Sequence, residues 1–179
     1  MATRGEKGRG RVVWLFTMWV FMAFVSQAFA LNTEANRSSL KGLVGVKVLV
    51  EDVAADVEKS GLTKSKLQTE VETHLKKAGI TVLTQEEVVK TPGEPYLYIN
   101  INAAGGKTHN TLYSYSIDIA LIQNIFLERD PKANTYAITW STGGVGLTEK
   151  QSLNQLDESL LNIVDIFIEA YQSANKTEK

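Results

Sequence analysis

Leu97-Tyr98-Ile99-Asn100-Ile101-Asn102-Ala103 places an aliphatic residue at every second position and a polar or aromatic one between. That period of two belongs to a strand with one face buried and the other open. Tyr113 to Leu121 repeats the pattern, with Tyr115, Ile117 and Ile119 alternating against Ser114, Ser116, Asp118 and Ala120. Tyr136, Ile138 and Trp140 alternate a third time, against Ala137, Thr139 and Ser141. A stretch rich in Gly and Asn, Gly105 to Asn110, joins the first run to the second, and Asp130-Pro131 marks a turn before the third. Three alternating runs joined by short turns form an antiparallel meander. One face takes Leu97, Ile99, Ile101, Ile117, Ile119, Leu121, Tyr136, Ile138 and Trp140 into the core. The other carries Tyr98, Asn100, Asn102, Ser114, Ser116, Asp118, Thr139 and Ser141. After Leu121 the parity slips, because Ile122, Asn124 and Phe126 fall on the wrong side, and a bulge or sheet edge is expected there.

Upstream, Val44, Val46, Val48 and Val50 alternate with Gly45, Lys47 and Leu49 as a further strand. Leu67, Val71, Leu75 and Ala78 form one stripe of a helix, with Thr63 or Ser65 as its cap. Lys76 and Lys77 suit its negative end, and Gly79 with Ile80 makes a Schellman stop. Thr81-Val82-Leu83 reads as a short strand, and Thr84 to Glu87 as a capping box opening a brief turn. Pro92-Gly93 and Pro95 then break the chain. Thr148-x-x-Gln151 reads as a second capping box. Beyond it Leu153, Leu156, Leu160, Ile163, Val164, Phe167, Ala170 and Tyr171 keep a 3.6-residue period. A helix from Glu149 to Ser173 would run about 37 Å, enough to cross a small sheet. The expected fold is α+β: a mostly antiparallel sheet of four to five strands with two helices packed on one face.

Residues 1–30 follow other rules. Arg4, Lys7, Arg9 and Arg11 precede an apolar run from Val12 to Val25, and Ala28-Phe29-Ala30 supplies a small-x-small site. This is the order of a signal peptide cleaved after Ala30. The apolar run is about 14 residues, short of the roughly 20 needed to span a bilayer. The alternative is an uncleaved anchor using all of Val12–Ala30. Expected boundaries are 1–30 for the leader, 31–41 for a flexible lead-in, 42–174 for a single domain and 175–179 for a polar tail. Localisation is expected to be periplasmic or secreted, with membrane contact only in transit.

Loss of the leader removes four of the 19 basic and one of the 20 acidic residues, leaving a formal charge of −4. Without a basic cluster, nucleic acid and anionic lipid are poor partners. The absence of cysteine excludes disulfides, thiolate metal sites, a cysteine nucleophile and a lipoprotein anchor.

No motif carries catalysis or a cofactor. Gly105-Gly106-Lys107-Thr108 ends like a phosphate loop, but Ile101 stands where the motif needs glycine, and strands flank it on both sides. Gly143-Gly144-Val145-Gly146 resembles part of a dinucleotide fingerprint, yet Glu149 occupies the last glycine position and no parallel unit surrounds it. It reads as a strand end where backbone comes close to a neighbour. His74 rims the core; with Glu70 it makes at most two metal ligands. His109, Asp118 and a nearby serine can be written as a hydrolase triad only by residue type, without nucleophile-elbow spacing. Asn36-Arg37-Ser38 and Asn175-Lys176-Thr177 match the glycosylation sequon.

The run LQTEVETHLKKAGITVLTQEE, Leu67 to Glu87, resembles a phrase of uncharacterised exported bacterial proteins. The element order is similar to two small envelope-assembly domains: the lipopolysaccharide-assembly lipoprotein and the amino-terminal domain of the Tol translocation protein. The likeness covers the mature domain as topology, not residue identity, and lacks the lipidated cysteine of the first and the propeller of the second. It implies protein binding or assembly in the periplasm, without catalysis and without cofactors. The expected function is a soluble periplasmic interaction module whose partner is another envelope protein. Tyr98, Asn100, Ser114, Ser116, Asp118 and Thr139 are the candidate contact surface, because strand tyrosines on an open face suit docking. Two alternatives differ in class: a carrier holding a lipid or apolar ligand between helices and sheet, and a hydrolase.

Overall fold

The computed structural model describes residues 31–105 and 111–176. The leader, the Gly106–Asn110 part of the glycine-rich turn with His109, and the last three residues lie outside them. Among the described residues no helix is long and apolar enough to cross a membrane.

The chain runs through α1 (Glu34–Ser38), β1 (Lys47–Val50), α2 (Ala55–Lys59), α3 (Lys64–Lys77), α4 (Gln85–Val88), β2 (Tyr96–Gly105), β3 (Leu112–Leu127), β4 (Asp130–Glu149), a 3-10 turn (Lys150–Gln155) and α5 (Leu156–Ala174). The four strands stand in the order β1-β2-β3-β4. The expected meander is β2, β3 and β4, paired antiparallel, with Ile99 opposite Ile119 and Leu121 opposite Trp140. β1 corrects the expectation of an almost wholly antiparallel sheet. It lies parallel to β2, Val48 beside Leu97, so the fold is α+β with a mixed four-stranded sheet. The reason is the long connection from residue 51 to 95: its helices cross over the sheet and return the chain in the same direction.

Local signals fix several elements as expected. Thr63 caps α3 by accepting from the N–H of Lys66, and the helix ends where Gly79 adopts φ 81° and Ile80 N–H donates to Leu75 O at 2.9 Å. Thr84 and Glu87 form the full capping box of α4. Other signals are overridden. Thr81–Leu83 adds only one parallel bridge, Val46 beside Val82. Thr148 and Gln151 open no helix, because β4 continues to Glu149 opposite Leu112. α5 therefore starts at Leu156, after the 3-10 turn. The turn between β3 and β4 is Glu128-Arg129, and Asp130-Pro131 already belongs to β4.

The segment expected to be a flexible lead-in, residues 31–41, is folded onto the body. Thr33 caps α1, Leu40 is fully buried, and Asn32 Oδ1 accepts from the Trp140 indole at 2.9 Å. The start of the tail is held as well: Asn175 donates to Leu40 O and accepts from the N–H of Gly42. Both sequon asparagines are thus engaged, Asn36 through Thr139 O.

α3 contributes Leu67, Val71 and Leu75 to the core, and α5 contributes Leu156, Leu160, Val164, Phe167 and Ala170. They cover Val48, Val50, Leu97, Ile99, Ile117, Ile119, Leu121 and Trp140 on one face of the sheet. Trp140 meets Phe167 edge-on, with ring centres 5.3 Å apart.

Candidate functional site

Register determines which side chains share the uncovered face. Leu49 stands beside Tyr98, Tyr98 beside Ala120, and Ala120 beside Ser141. The next row is Asn100, Asp118 and Gly143; the next Asn102, Ser116 and Val145; the last Ala104, Ser114 and Leu147. Five of the six expected surface residues, Tyr98, Asn100, Ser114, Ser116 and Asp118, are thereby brought onto one face.

Thr139 is not with them. It is the extra residue of a bulge: Leu121 pairs with Trp140 while Ile122 pairs with Ile138. Its hydroxyl accepts from Gln123 Nε2 at 2.8 Å, and the same amide donates to Ser39 O, just beyond α1. The parity slip expected after Leu121 is present, but the inserted residue sits in β4 rather than β3. Its consequence is large. Tyr136 and Ile138, read as core companions of Trp140, are each 52% exposed and lie on the open face. With them stand Phe126, 69% exposed, and Tyr96, whose ring meets Tyr136 edge-on at 6.5 Å.

The open face is therefore more apolar than its sequence suggests, and besides Leu49 on β1 and Tyr98 beside it, its large aliphatic and aromatic residues form two groups. One holds Tyr96, Ile122, Phe126, Tyr136 and Ile138; the other holds Leu112, Val145 and Leu147 at the far end of the strands. A polar band of Asn100, Asp118, Ser116 and Ser141 separates them. Tyr98 is half-buried within this band rather than at the centre of an apolar patch. Its burial, with the carboxylates of Glu51 and Asp118 nearby, raises its pKa above 10.0. Tyr136 is raised chiefly by its hydrogen bond to Glu94 Oε2, at 2.6 Å.

The glycines of β4 serve close approach. A Cβ on Gly143 would lie 2.6 Å from Ile117 O, and one on Gly146 would lie 2.6 Å from the Tyr115 ring. Tyr113 lies likewise over Gly105, and its hydroxyl donates to Asp56 Oδ2 at 2.8 Å, which raises its pKa. Aromatic rings thus fill the space that side-chain-free positions leave on a strand pair.

A cleft between α3 and α5 holds about 560 Å³ and is lined mostly by polar residues including Glu70, His74, Asp157 and Asp165. His74 Nε2 lies 2.6 Å from Asp165 Oδ1, and Lys66 bridges Glu70 and Asp157, the hydrogen bond to Asp157 chiefly raising its pKa. These pairs tie the two helices together. Beneath α5 the space toward the sheet is filled by Trp140, Phe167, Leu160 and Val164, all fully buried.

No protein-family model and no curated protein matches the sequence.

Proposed function

We propose that the exported, mature chain is an interaction module of the cell envelope, docking another envelope protein on the open face of its sheet. The observation that carries this reading is the register of exposed apolar residues: Phe126, Tyr136, Ile138, Val145 and Leu147 all stand on the face that, among the described residues, no helix covers. Exposed apolar groups concentrated on one face are a mark of contact surfaces. The polar band between the two groups supplies hydrogen-bonding groups to fix orientation, as in the cores and rims of protein interfaces. Filling of the helix–sheet space by side chains supports docking over carriage of an apolar ligand.

The test is affinity capture from envelope extract with the chain recovered from the periplasm, beside the Ile138→Ser and Tyr98→Ala variants. A partner retained by the wild type and lost by both variants, each with an unchanged circular dichroism spectrum, is the expected result. A partner bound equally by all three would refute the assignment to this face.

A further inference from the structure

β4 closes one side of the sheet, and its outer edge is divided. Ser141 N–H donates outward to Leu31 O at 3.2 Å, and Thr139 O accepts from Asn36 at 3.0 Å. From this parity the backbone groups of Gly143, Val145 and Leu147 point outward too. The start of the strand carries Asp130, Pro131 and Lys132, residue types that discourage strand addition, and its middle is covered by Leu31 and α1. Gly143-Gly144-Val145-Gly146-Leu147-Thr148 has no charge and no proline. Among the described residues no backbone partner meets its outward groups. Val145 and Leu147 are 67% and 69% exposed.

Backbone donors and acceptors on an exposed extended edge are met by water until another strand pairs with them, and they template that pairing. We propose that this strand belongs to a second copy of the chain, paired antiparallel through residues 143–149 to give one continuous eight-stranded sheet. This dimer uses the strand edge and does not depend on the face docking described above.

The segment is complementary to itself. A two-fold axis at Gly146 sets Val145 opposite Leu147 of the second copy, and Gly143 opposite Glu149. The four outward residues of each copy then exchange roughly eight backbone hydrogen bonds. Val145 and Leu147 from both copies lie on one face and cover each other across the seam, a favourable cross-strand arrangement. No like charges face each other within the ladder, although the mature chain is acidic as a whole. The pairing also ends cleanly. Leu31 occupies the edge at Ser141, and the chain leaves the sheet at Lys150 into its 3-10 turn. A two-fold contact of this kind closes on itself and leaves no growing end.

Sedimentation velocity of the chain recovered from the periplasm reads the outcome. A reversible, concentration-dependent dimer is expected. Val145→Pro removes an outward N–H, which an edge strand tolerates, and weakens the dimer about tenfold or more; Val145→Lys acts through charge and does the same should the proline variant misfold. Because the chain has no cysteine, Val145→Cys mixed with Leu147→Cys reports register. The mixture forms a disulfide dimer several-fold faster than either variant alone. A monomer at every concentration, as expected if the edge receives a strand from a different protein, overturns the proposal. So does a dimer unaffected by Val145→Lys, or cross-linking that is equal in all three samples.

Discussion

The two faces of the sheet are built from the same four strands, yet one is dry and the other wet. Trp140 and Ile138 stand two residues apart on β4, and one is fully buried while the other is 52% exposed. Hydrophobicity does not separate them. Thr139 does, because one inserted residue moves everything before it to the opposite face. The helices then decide which face is dry: α3 and α5 present a sustained apolar stripe, and only one side of the sheet receives it. The comparison teaches that an apolar residue in a strand has no fixed destination until its register is known.

The largest expected effect lies on the dry face. Trp140→Ala removes the side chain packed on Phe167 and the indole donor to Asn32 Oδ1, costing about 3–5 kcal/mol by urea unfolding. A loss below about 1 kcal/mol would mean that the buried side of the sheet has been misassigned. Gly143→Ala comes next, since its Cβ would meet the Ile117 carbonyl at 2.6 Å. About 1–3 kcal/mol is expected from the forced backbone shift, measured in the same way. On the wet face, Ile138→Ser stays within about 0.5 kcal/mol of wild type. Its effect is confined to partner capture, and a cooperative loss of stability would place Ile138 in the core after all.

Alkaline titration sharpens the comparison further. Tyr98 and Tyr136 on the open face, and Tyr113 beneath the far strands, all hold their protons above the ordinary 10.0. The folded chain therefore keeps protons that the unfolded chain has released. This contribution to stability is complete below about pH 10 and is lost as pH rises through the folded values. Urea midpoints should fall over that window, and Tyr98→Phe should flatten the slope. An unchanged slope in Tyr98→Phe would remove Tyr98 from the account.

The sequence speaks clearly where the determinant is local. The alternation in Leu97–Ala103 and Tyr113–Leu121, the Gly79 stop and the Thr84–Glu87 box depend on neighbours within a few residues, and each is found as expected. Parallel pairing of β1 with β2 is not local, since it depends on how residues 51–95 cross the sheet. The Thr148–Gln151 pattern fits a cap, but pairing of Glu149 with Leu112 holds the segment as strand. Asn32 and Asn36 look like linker residues until Trp140 and Thr139 are brought to them. The open face was readable in its polar rows and hidden in its apolar end, because the bulge that exposes Tyr136 and Ile138 leaves no mark beyond a slip in parity.

Hydroxyl-radical footprinting of the purified chain examines the two faces directly, by comparing side-chain oxidation on each. Phe126, Tyr136 and Ile138 should be oxidised rapidly while Trp140 and Phe167, intrinsically more or equally reactive, stay protected until the chain is unfolded. Rapid oxidation of Trp140 in the native chain, or protection of Ile138 and Phe126 matching that of Phe167, would contradict a sheet covered by helices on one side only.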